Sequence, residues 1–375
     1  MANDKQDFQV VIIGGGPAGI ATSLTLTSRG ISNCIVEADA EPTRKSGEAI
    51  PPNAKPLLKK LGIFHLLEDP KHLIYYGNES SWGTDKLEQE EFIQGIYGSG
   101  YLLDRLHFEK QLRAHLKTND GVLFMGYRLR KVVRDGQGIQ VNIKKDKDEV
   151  LLTTRYIVDA TGRKASVCSH LGIKKQAIDS QFAVTFKALL NEQIAHKICV
   201  EATENGWWYA APQQGKELMI MFFTLKQLIP NKSEVADFLK KELDSSLHLS
   251  KLLQTAKLDL THVKIMPCGT SRLDTAYGEN WLAVGDAACS YDPISSYGIT
   301  SALGSGLYAG HALTDALANK KDAMLTYQFI METTFQEYME RLMVHYDLEK
   351  RWAKSVYWKD RFLQTEAITR DFNQS

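Results

Sequence analysis

The stretch FQVVIIGGGPAGIATSLTL, residues 8–26, decides the fold. Residues 8–13 are mostly apolar and predict a buried strand, and residues 20–26 continue as an apolar helix. Between them, Gly14-Gly15-Gly16-Pro17-Ala18-Gly19 has the spacing G-x-G-x-x-G. After a strand and at the start of a helix, this spacing predicts a dinucleotide-binding unit.

Each of three glycines has its own physical role in such a unit. Gly14 allows the tight turn, Gly16 lets the backbone approach a pyrophosphate, and Gly19 lets the helix pack closely on the strand. The helix N-terminus adds unpaired N–H groups and a partial positive charge. Together these features favour an anionic, phosphate-bearing ligand.

A second predicted strand, residues 34–36, ends at Glu37, roughly 18 residues after Gly19. We expect an acid at this position to accept hydrogen bonds from the ribose hydroxyls of an adenosine. NAD, NADP and FAD all fit this pattern, so later segments must choose among them.

Two further stretches favour FAD. Residues 102–112 predict a helix that Asp104 caps, with Arg105 in its first turn. Residues 156–163 predict a strand that ends in Asp159-Ala160-Thr161-Gly162. A nicotinamide cofactor ordinarily needs only its local βαβ unit, so added acid-tipped strands indicate a larger, tightly held cofactor.

The stretch GDAACSYDPISSYG, residues 285–298, is the third. It follows the apolar run 281–284, which predicts a buried strand, and it precedes a helix rich in small residues. Asp286 at this strand tip indicates a ligand, although an ordinary helix cap is the alternative.

Composition limits the class of protein. The chain has 375 residues, with 45 acidic and 45 basic side chains, so no net field favours nucleic acid or an anionic membrane. No apolar run is long enough to span a bilayer. The five cysteines are scattered without C-x-x-C spacing, so we expect no metal site, no disulfide framework and a cytoplasmic location.

The middle of the chain predicts a second sheet. Residues 183–190, 206–212 and 217–224 read as strands, and residues 75–83 join them. The predicted fold class is α/β: a Rossmann-like FAD-binding domain, an antiparallel-sheet substrate domain over the flavin, and C-terminal helices. The predicted FAD-binding domain consists of residues 1–74, 100–180 and 268–325. The predicted substrate domain consists of residues 75–99 and 181–267, and the C-terminal helices of residues 326–375.

The substrate side is predicted from aromatic residues. Trp207, Trp208 and Tyr209 are candidates for the cavity wall, with Ser296 and Tyr297 on the flavin side. Such a cavity would exclude water from the reaction. The aromatic C-terminal helices either pack back onto the FAD domain or form a docking face for a protein. No catalytic residue is assigned.

The set of motifs resembles the FAD-dependent monooxygenase and halogenase superfamily, with its para-hydroxybenzoate-hydroxylase-like fold. The resemblance implies that the glycines and Glu37 hold the ADP half, Arg105 lies along the phosphate or ribityl region, and Asp159 lies near the pyrophosphate. Asp286 would bond the ribityl chain, and residues 44–52 would run beside the isoalloxazine. The implied FAD-binding residues are Gly14, Gly16, Pro17, Ala18, Gly19, Glu37, Ala38, Arg44, Ser46, Gly47, Glu48, Arg105, Asp159, Gly162, Gly285, Asp286, Gly298 and Ile299.

Residues 285–298 are similar to the halogenase version of their motif, but the resemblance fails elsewhere. Tryptophan halogenases carry W-x-W-x-I-P where this chain has residues 207–212, WWYAAP. They carry an acid where this chain has Ser295, and only Lys71 aligns near their essential lysine.

The chain more closely resembles flavoproteins of the LodB and GoxB type, which accompany quinone-cofactor amino acid oxidases. Residues 76–83, 207–212 and 351–358 carry this narrower resemblance. It implies an FAD-dependent monooxygenase that uses O2, with NAD(P)H as an optional reductant. The implied substrate is a tryptophan of a precursor amino acid oxidase, hydroxylated toward a tryptophylquinone. The alternatives are a hydroxylase or halogenase of a small aromatic metabolite and a non-catalytic maturation chaperone.

Overall fold

The structure is a computed structural model that describes residues 5–43, 45, 47–134 and 138–362. Two large sheets organise it: one of eight strands and one of seven, with two small three-stranded sheets beside them. The strands are β1 Lys5–Ile13, β2 Asn33–Glu37, β3 Ala49–Ile50, β4 Leu73–Tyr75, β5 Gly77–Ser81, β6 Glu88–Glu91, β7 Gly100–Leu102, β8 Val122–Met125, β9 Arg128–Arg134, β10 Ile139–Lys145, β11 Asp148–Asp159, β12 Lys175–Ala177, β13 Gln181–Leu189, β14 Lys197–Thr203, β15 Gly206–Pro212, β16 Glu217–Leu225, β17 Lys257–Pro267, β18 Ser271–Leu273, β19 Tyr277–Gly278, β20 Trp281–Ala283 and β21 Cys289–Ser290. The helices are α1 Pro17–Thr27, α2 Lys55–Lys60, α3 Arg105–Thr118, α4 Ser166–His170, α5 Val235–Asp244, α6 Leu249–Leu252, α7 Gly298–Leu317 and α8 Ala323–Asp347.

The eight-stranded sheet has a parallel centre. Strands β20, β11, β1, β2 and β8 are neighbours in that order and run parallel, and β19 pairs antiparallel at the edge. The hairpin of β9 and β10 pairs antiparallel with the first half of β11. Helix α1 is buried over nearly its whole length and packs against α7, as expected where helices cover a parallel sheet.

The seven-stranded sheet has the order β17-β13-β16-β15-β14-β5-β6. All neighbours pair antiparallel except β14 and β5, which run parallel, so the sheet is mixed at this one junction. The predicted strand at residues 206–212 is β15 with the same bounds, and part of residues 75–83 forms β5. The fold class predicted from the sequence is confirmed; the residue bounds of the domains stay a prediction.

The C-terminal part packs back onto both sheets. Tyr357 and Trp358, in a helical segment over 356–362, are fully buried, and the Trp358 indole donates to the main-chain oxygen of Thr203 at 2.9 Å. Arg351 pairs with Glu349. These contacts favour the packing role over a docking role for this segment. Within the described residues, no helix combines the length and apolar character that crossing a bilayer requires.

A buried charged cluster fixes the end of this segment. The Arg361 guanidinium, 4% exposed, lies 3.3 Å from an Asp179 carboxylate oxygen and 3.5 Å from one of Asp292. Its charge is also above the rings of Tyr346 and Tyr357. A cation that faces two buried acids cannot be removed without leaving their charges uncompensated.

Arg361→Met is therefore expected to lower the free energy of unfolding by about 3–5 kcal/mol. Urea denaturation followed by intrinsic fluorescence measures the loss. The matched control is Arg341→Met, because Arg341 forms an exposed pair with Glu337 and its removal should change stability by no more than about 0.5 kcal/mol. Equal losses in the two variants would contradict a structural role for the buried cluster.

Candidate functional site

The ends of four parallel strands meet at one edge of the eight-stranded sheet. Ile13, the last residue of β1, is opposite Val36 of β2 and Asp159 of β11. Asp159 is in turn opposite Ala283 of β20. The carboxyl edge of a parallel sheet is where ligands of such folds bind. The register therefore brings the glycine turn, Glu37 and Gly285 to this edge.

The three fingerprint glycines lie as their predicted roles require. Gly14 has φ +114°, and a Cβ there would lie 2.2 Å from the Ala160 oxygen. A Cβ on Gly19 would lie 2.0 Å from the Gly14 oxygen, so strand and helix meet without side chains. At Gly16 a Cβ would meet nothing within 4 Å, which leaves open space beside the N-terminus of α1. Pro17 and Ala18 form the buried first turn of α1.

Glu37 clamps the glycine loop. Its carboxylate accepts hydrogen bonds from the Gly15 N–H at 2.7 Å and the Asp39 N–H at 2.8 Å, and Arg113 lies 3.8 Å away. Ala38 lies between these contacts in the chain. A carboxylate can accept about four hydrogen bonds, so capacity is left for ribose hydroxyls.

Asp159 is fully buried and bonds its own turn. Its carboxylate accepts from the Thr161 N–H at 3.0 Å and from the Cys168 N–H at 2.9 Å. The side chain thus shapes the turn that starts at Gly162 and does not face outward. If Asp159 lies near the pyrophosphate as predicted, the backbone of the turn that it shapes would contact the ligand, and its carboxylate would not.

Asp286 keeps a partly open carboxylate. Its side chain is about one-third exposed, and one oxygen lies 3.6 Å from the Arg163 Nε. Lys175 donates to the main-chain oxygen of Asp286, and the Gly285 N–H donates to Ser305 Oγ at 2.8 Å. The turn is therefore fixed by its backbone, and the carboxylate remains able to accept from a ligand. Sequence reasoning missed Arg163.

Arg105 is held in place by an acid one helical turn further on. Its Nε donates to Glu109 Oε1 at 3.0 Å, and its Nη1 donates to the Gly47 oxygen at 3.0 Å. Spacing of i, i+4 on a helix could have identified this pair. The structure thus brings Arg105, Gly47 and Glu48 together, whereas the predicted residues Arg44 and Ser46 lie outside the described residues.

The loop before α7 is a shaped turn. The Asp292 side chain caps the 3-10 turn Pro293–Ser295 by accepting from the Ile294 N–H at 2.9 Å. Ser296 has φ +52°, and α7 begins at Gly298 without a side-chain cap. Ser296 and Tyr297 therefore stand at an uncapped helix N-terminus, which favours negative charge on a ligand. Ile299 is buried behind them.

The structure separates the three aromatic residues of β15. The Trp207 ring stacks on Phe223 with centroids 3.9 Å apart, and its indole donates to Tyr346 Oη at 3.2 Å. Trp208 packs in the cluster between the sheet and α5. Tyr209 is half-buried, and its electrostatic neighbour is Glu48. Trp207 and Trp208 are core residues, and only Tyr209 stays near the predicted site.

A cleft of about 410 Å³ lies between the seven-stranded sheet on one side and the start of α3 with the small sheet β3-β7-β4 on the other. Glu48 and Lys71 are on its wall, and burial raises the pKa of Glu48 to about 7. The lining is aliphatic and charged where the sequence predicted an aromatic mouth. It consists of Lys45, Glu48, Lys71, Leu73, Leu102, Leu103, Asp104, Arg105, Leu106, Lys187, Leu189, Pro212, Gln213, Gln214, Lys216, Glu217 and Met219.

These features fit FAD. The space at Gly16, the two uncapped helix N-termini of α1 and α7, and the open carboxylate of Asp286 suit a long ligand with phosphates in its middle. The buried Oε2 atom of Glu48, on the cleft wall, has no hydrogen-bond partner among the described residues and can accept one from a ligand.

Comparisons with known proteins agree. The FAD binding domain family matches residues 7–341. The FAD-dependent oxidoreductase LodB of Marinomonas mediterranea is 27% identical over 367 residues, covering 95% of this chain and 97% of LodB. The myxobacterial chondrochloren halogenase CndH has a TM-score of 0.86 at 20% identity, covering 98% of this chain and 90% of CndH. The peptidyl tryptophan dihydroxylase QhpG is essential for tryptophylquinone cofactor biogenesis. It has a TM-score of 0.75 at 22% identity, covering 95% of this chain and 78% of QhpG.

The comparisons confirm FAD as the cofactor and the predicted superfamily. The likenesses to CndH and QhpG show a shared fold alone. The roles of individual FAD-binding residues stay predictions that the geometry above makes testable.

Asp286→Ala and Glu37→Ala are each expected to weaken FAD binding by about 1–3 kcal/mol, or about 5- to 150-fold, because each removes a carboxylate acceptor. Flavin fluorescence titration measures the affinity. Asp315→Ala is the control, since Asp315 pairs with Lys320 toward the far end of α7. Unchanged affinity in both site variants would contradict the assigned contacts, and a thermal midpoint raised by NAD but not FAD would contradict the cofactor.

Proposed function

We propose that this chain, which belongs to the FAD binding domain family, hydroxylates a tryptophan side chain of a precursor amino acid oxidase. The hydroxylation would be a step toward a tryptophylquinone. The observation that carries the proposal is the end-to-end similarity to LodB, which spans 95% of this chain and 97% of LodB. The fold shared with QhpG, a peptidyl tryptophan dihydroxylase, supports the same substrate class.

The cleft supports a substrate that belongs to a protein. It is bounded by residues of β13, β15 and β16 on one side and by Glu48 and α3 on the other. Its leucine, proline and methionine side chains offer apolar area for an indole, while its lysines lie beside them. A side chain carried on a peptide segment could enter such a cleft, and the apolar wall would restrict water around the ring.

In this reaction the chain's own residues bind FAD and orient the substrate. Bound reduced FAD, together with O2, supplies an electrophilic oxygen atom. Glu37 and the glycine turn hold the adenosine end, Asp286 holds the ribityl chain, and the α7 N-terminus stabilises negative charge on the flavin ring. Residues of the cleft hold the indole, whose electron-rich ring needs no base to begin the attack.

The deciding experiment is co-expression with a precursor amino acid oxidase, chosen from genes adjacent to this one, followed by peptide mass spectrometry. Wild-type protein is expected to add oxygen at one partner tryptophan, and in Asp286→Ala the addition is expected to vanish at FAD concentrations that saturate the wild type but not the weaker-binding variant. Glu192→Ala, at an exposed acid, is the control that retains the modification. Complete quinone formation in the partner without this protein would end the proposal.

A hydroxylase or halogenase of a small aromatic compound is the second candidate. The similarity in fold to CndH and the position of Lys71 on the cleft wall favour it. Ser295 argues against halogenation, because it stands where tryptophan halogenases carry an acid and its Oγ donates to the Asp292 oxygen. Turnover of free tryptophan or a phenol, with and without chloride, would distinguish this candidate. If flavin-free variants still support partner maturation, the protein is a chaperone.

A further inference from the structure

Glu48 lies between the seven-stranded sheet and the start of α3. Its side chain is 2% exposed and is part of the cleft wall. Its Oε2 atom has no hydrogen-bond partner among the described residues. Buried polar atoms are nearly always satisfied, so an unpaired carboxylate oxygen at a cleft indicates a partner that arrives with a ligand.

Charged and titratable groups from three other elements face Glu48. Arg105 extends from α3 and Lys187 from β13, and both stabilise the charged form. Tyr209 extends from β15 and interacts with the Glu48 charge. The further ionisable groups of the cleft lining are Lys45, Lys71, Asp104, Lys216 and Glu217, and Tyr75 lies beside Tyr209.

The nearby cations are already engaged by other acids. Arg105 pairs with Glu109 at 3.0 Å, and Lys187 pairs with Glu217. Glu48 forms no ion pair within the part of the chain that the structure describes. Among the described residues no ion pair fixes its charge, which Arg105 and Lys187 influence from a distance.

These surroundings place the titration of Glu48 near neutral pH. Burial raises its pKa to about 7, against the opposing effects of Arg105, the backbone N–H groups of Gly47 and Glu48, and Lys187. A group whose pKa is close to the working pH can both accept and release a proton, which is the property that proton-transfer catalysis requires.

The hydroxylation of an aromatic ring requires one such acceptor. When a ring carbon gains a hydroxyl group, the ring carries a positive charge until it loses the hydrogen at that carbon. No base is needed for the first step, but the second step deposits a proton in a cleft that restricts water.

We propose that Glu48 is the catalytic base of this second step, an inference that rests on the function proposed above. The ring carbon donates an electron pair to one oxygen atom of the activated O2, so the C–O bond forms as the O–O bond breaks, and the other oxygen leaves as water. Reduced FAD supplies the two electrons and two protons, one for the new hydroxyl group and one for the water, and solvent supplies the second proton of the water. The C–H electron pair then returns to the ring while the proton moves to Glu48 Oε2, and the cleft later releases it to solvent.

The test is Glu48→Gln, which keeps the side-chain size and removes the base. With FAD-loaded, chemically reduced protein and purified precursor, an O2 pulse should give tryptophan oxygenation about 10²-fold slower than wild type, within the range for a lost acid–base group. Precursor with ring-deuterated tryptophan should show a primary isotope effect in the variant and none in wild type. A structural role for Glu48 would slow the reaction without creating that isotope effect.

Two further variants provide matched controls. Glu48→Asp keeps a carboxylate and should recover part of the rate. Glu242→Gln alters another buried acid with a raised pKa, on α5 and hydrogen-bonded to Asn205, and should leave the rate within a few-fold of wild type. An equal loss in Glu242→Gln and Glu48→Gln would overturn the proposal.

A readout without turnover addresses the same residue. Infrared difference spectra of the FAD-free protein should show a carboxylic-acid band that titrates near pH 7 and is lost in Glu48→Gln but retained in Glu242→Gln. The wild-type oxygenation rate should fall as pH decreases below about 7, because protonated Glu48 cannot accept the proton, and a primary isotope effect should then appear in wild type at low pH. A flat profile overturns the assignment even if Glu48→Gln fails to fold.

The outcomes separate the two proposals. If wild type oxygenates the partner tryptophan and Glu48→Gln does so equally fast without an isotope effect, the assignment of Glu48 is wrong and the proposed function stands. If wild type gives no oxygenated partner under any condition, the proposed function is wrong and the role of Glu48 falls with it.

Discussion

The register of four parallel strands is the constraint on which the site depends. Ile13 is fixed opposite both Val36 and Asp159, and Asp159 is fixed opposite Ala283. A slip of one residue would turn every side chain of a strand to the other face of the sheet, and consecutive residues at the ends of β1, β2, β11 and β20 are nearly all buried. The register is therefore strongly specified, and the turns after the strand tips inherit their positions from it.

The second sheet is tied to the same edge by the path of the chain. The chain leaves the edge after β11 and reaches β13 through β12; it returns from β17 to β20 through β18. Because β12 and β18 pair with each other, the outward and returning connections form one small antiparallel sheet. This small sheet thus ties the seven-stranded sheet to the eight-stranded one, and the seven-stranded sheet supplies one wall of the cleft that contains Glu48.

Structural features that depend only on neighbouring residues could be predicted from the sequence. A strand, a glycine turn and a helix follow each other within residues 8–26, so their meaning needs no distant partner, and β15 has the predicted bounds because its apolar run is continuous. The direction of a side chain on a strand is a different matter. Trp207 and Trp208 are neighbours in sequence, but alternation along β15 sends them to opposite faces, and which face meets the cleft depends on the second sheet. The partners of Asp292 could not be predicted from the sequence either, since tertiary packing brings Arg361 to it from a distant part of the chain.

The aromatic residues that looked suited to a substrate are used to fix the frame of the site. Trp207 donates to Tyr346 Oη, and the same hydroxyl donates to Asp292 at 2.9 Å. Asp292 also faces Arg361 and shapes the turn before α7. One side of the site therefore depends on a buried network that extends from β15 through α8 to the C-terminal segment. Because Trp207 belongs to that network, its indole serves the frame of the site, whereas the cleft is lined by aliphatic and ionisable side chains.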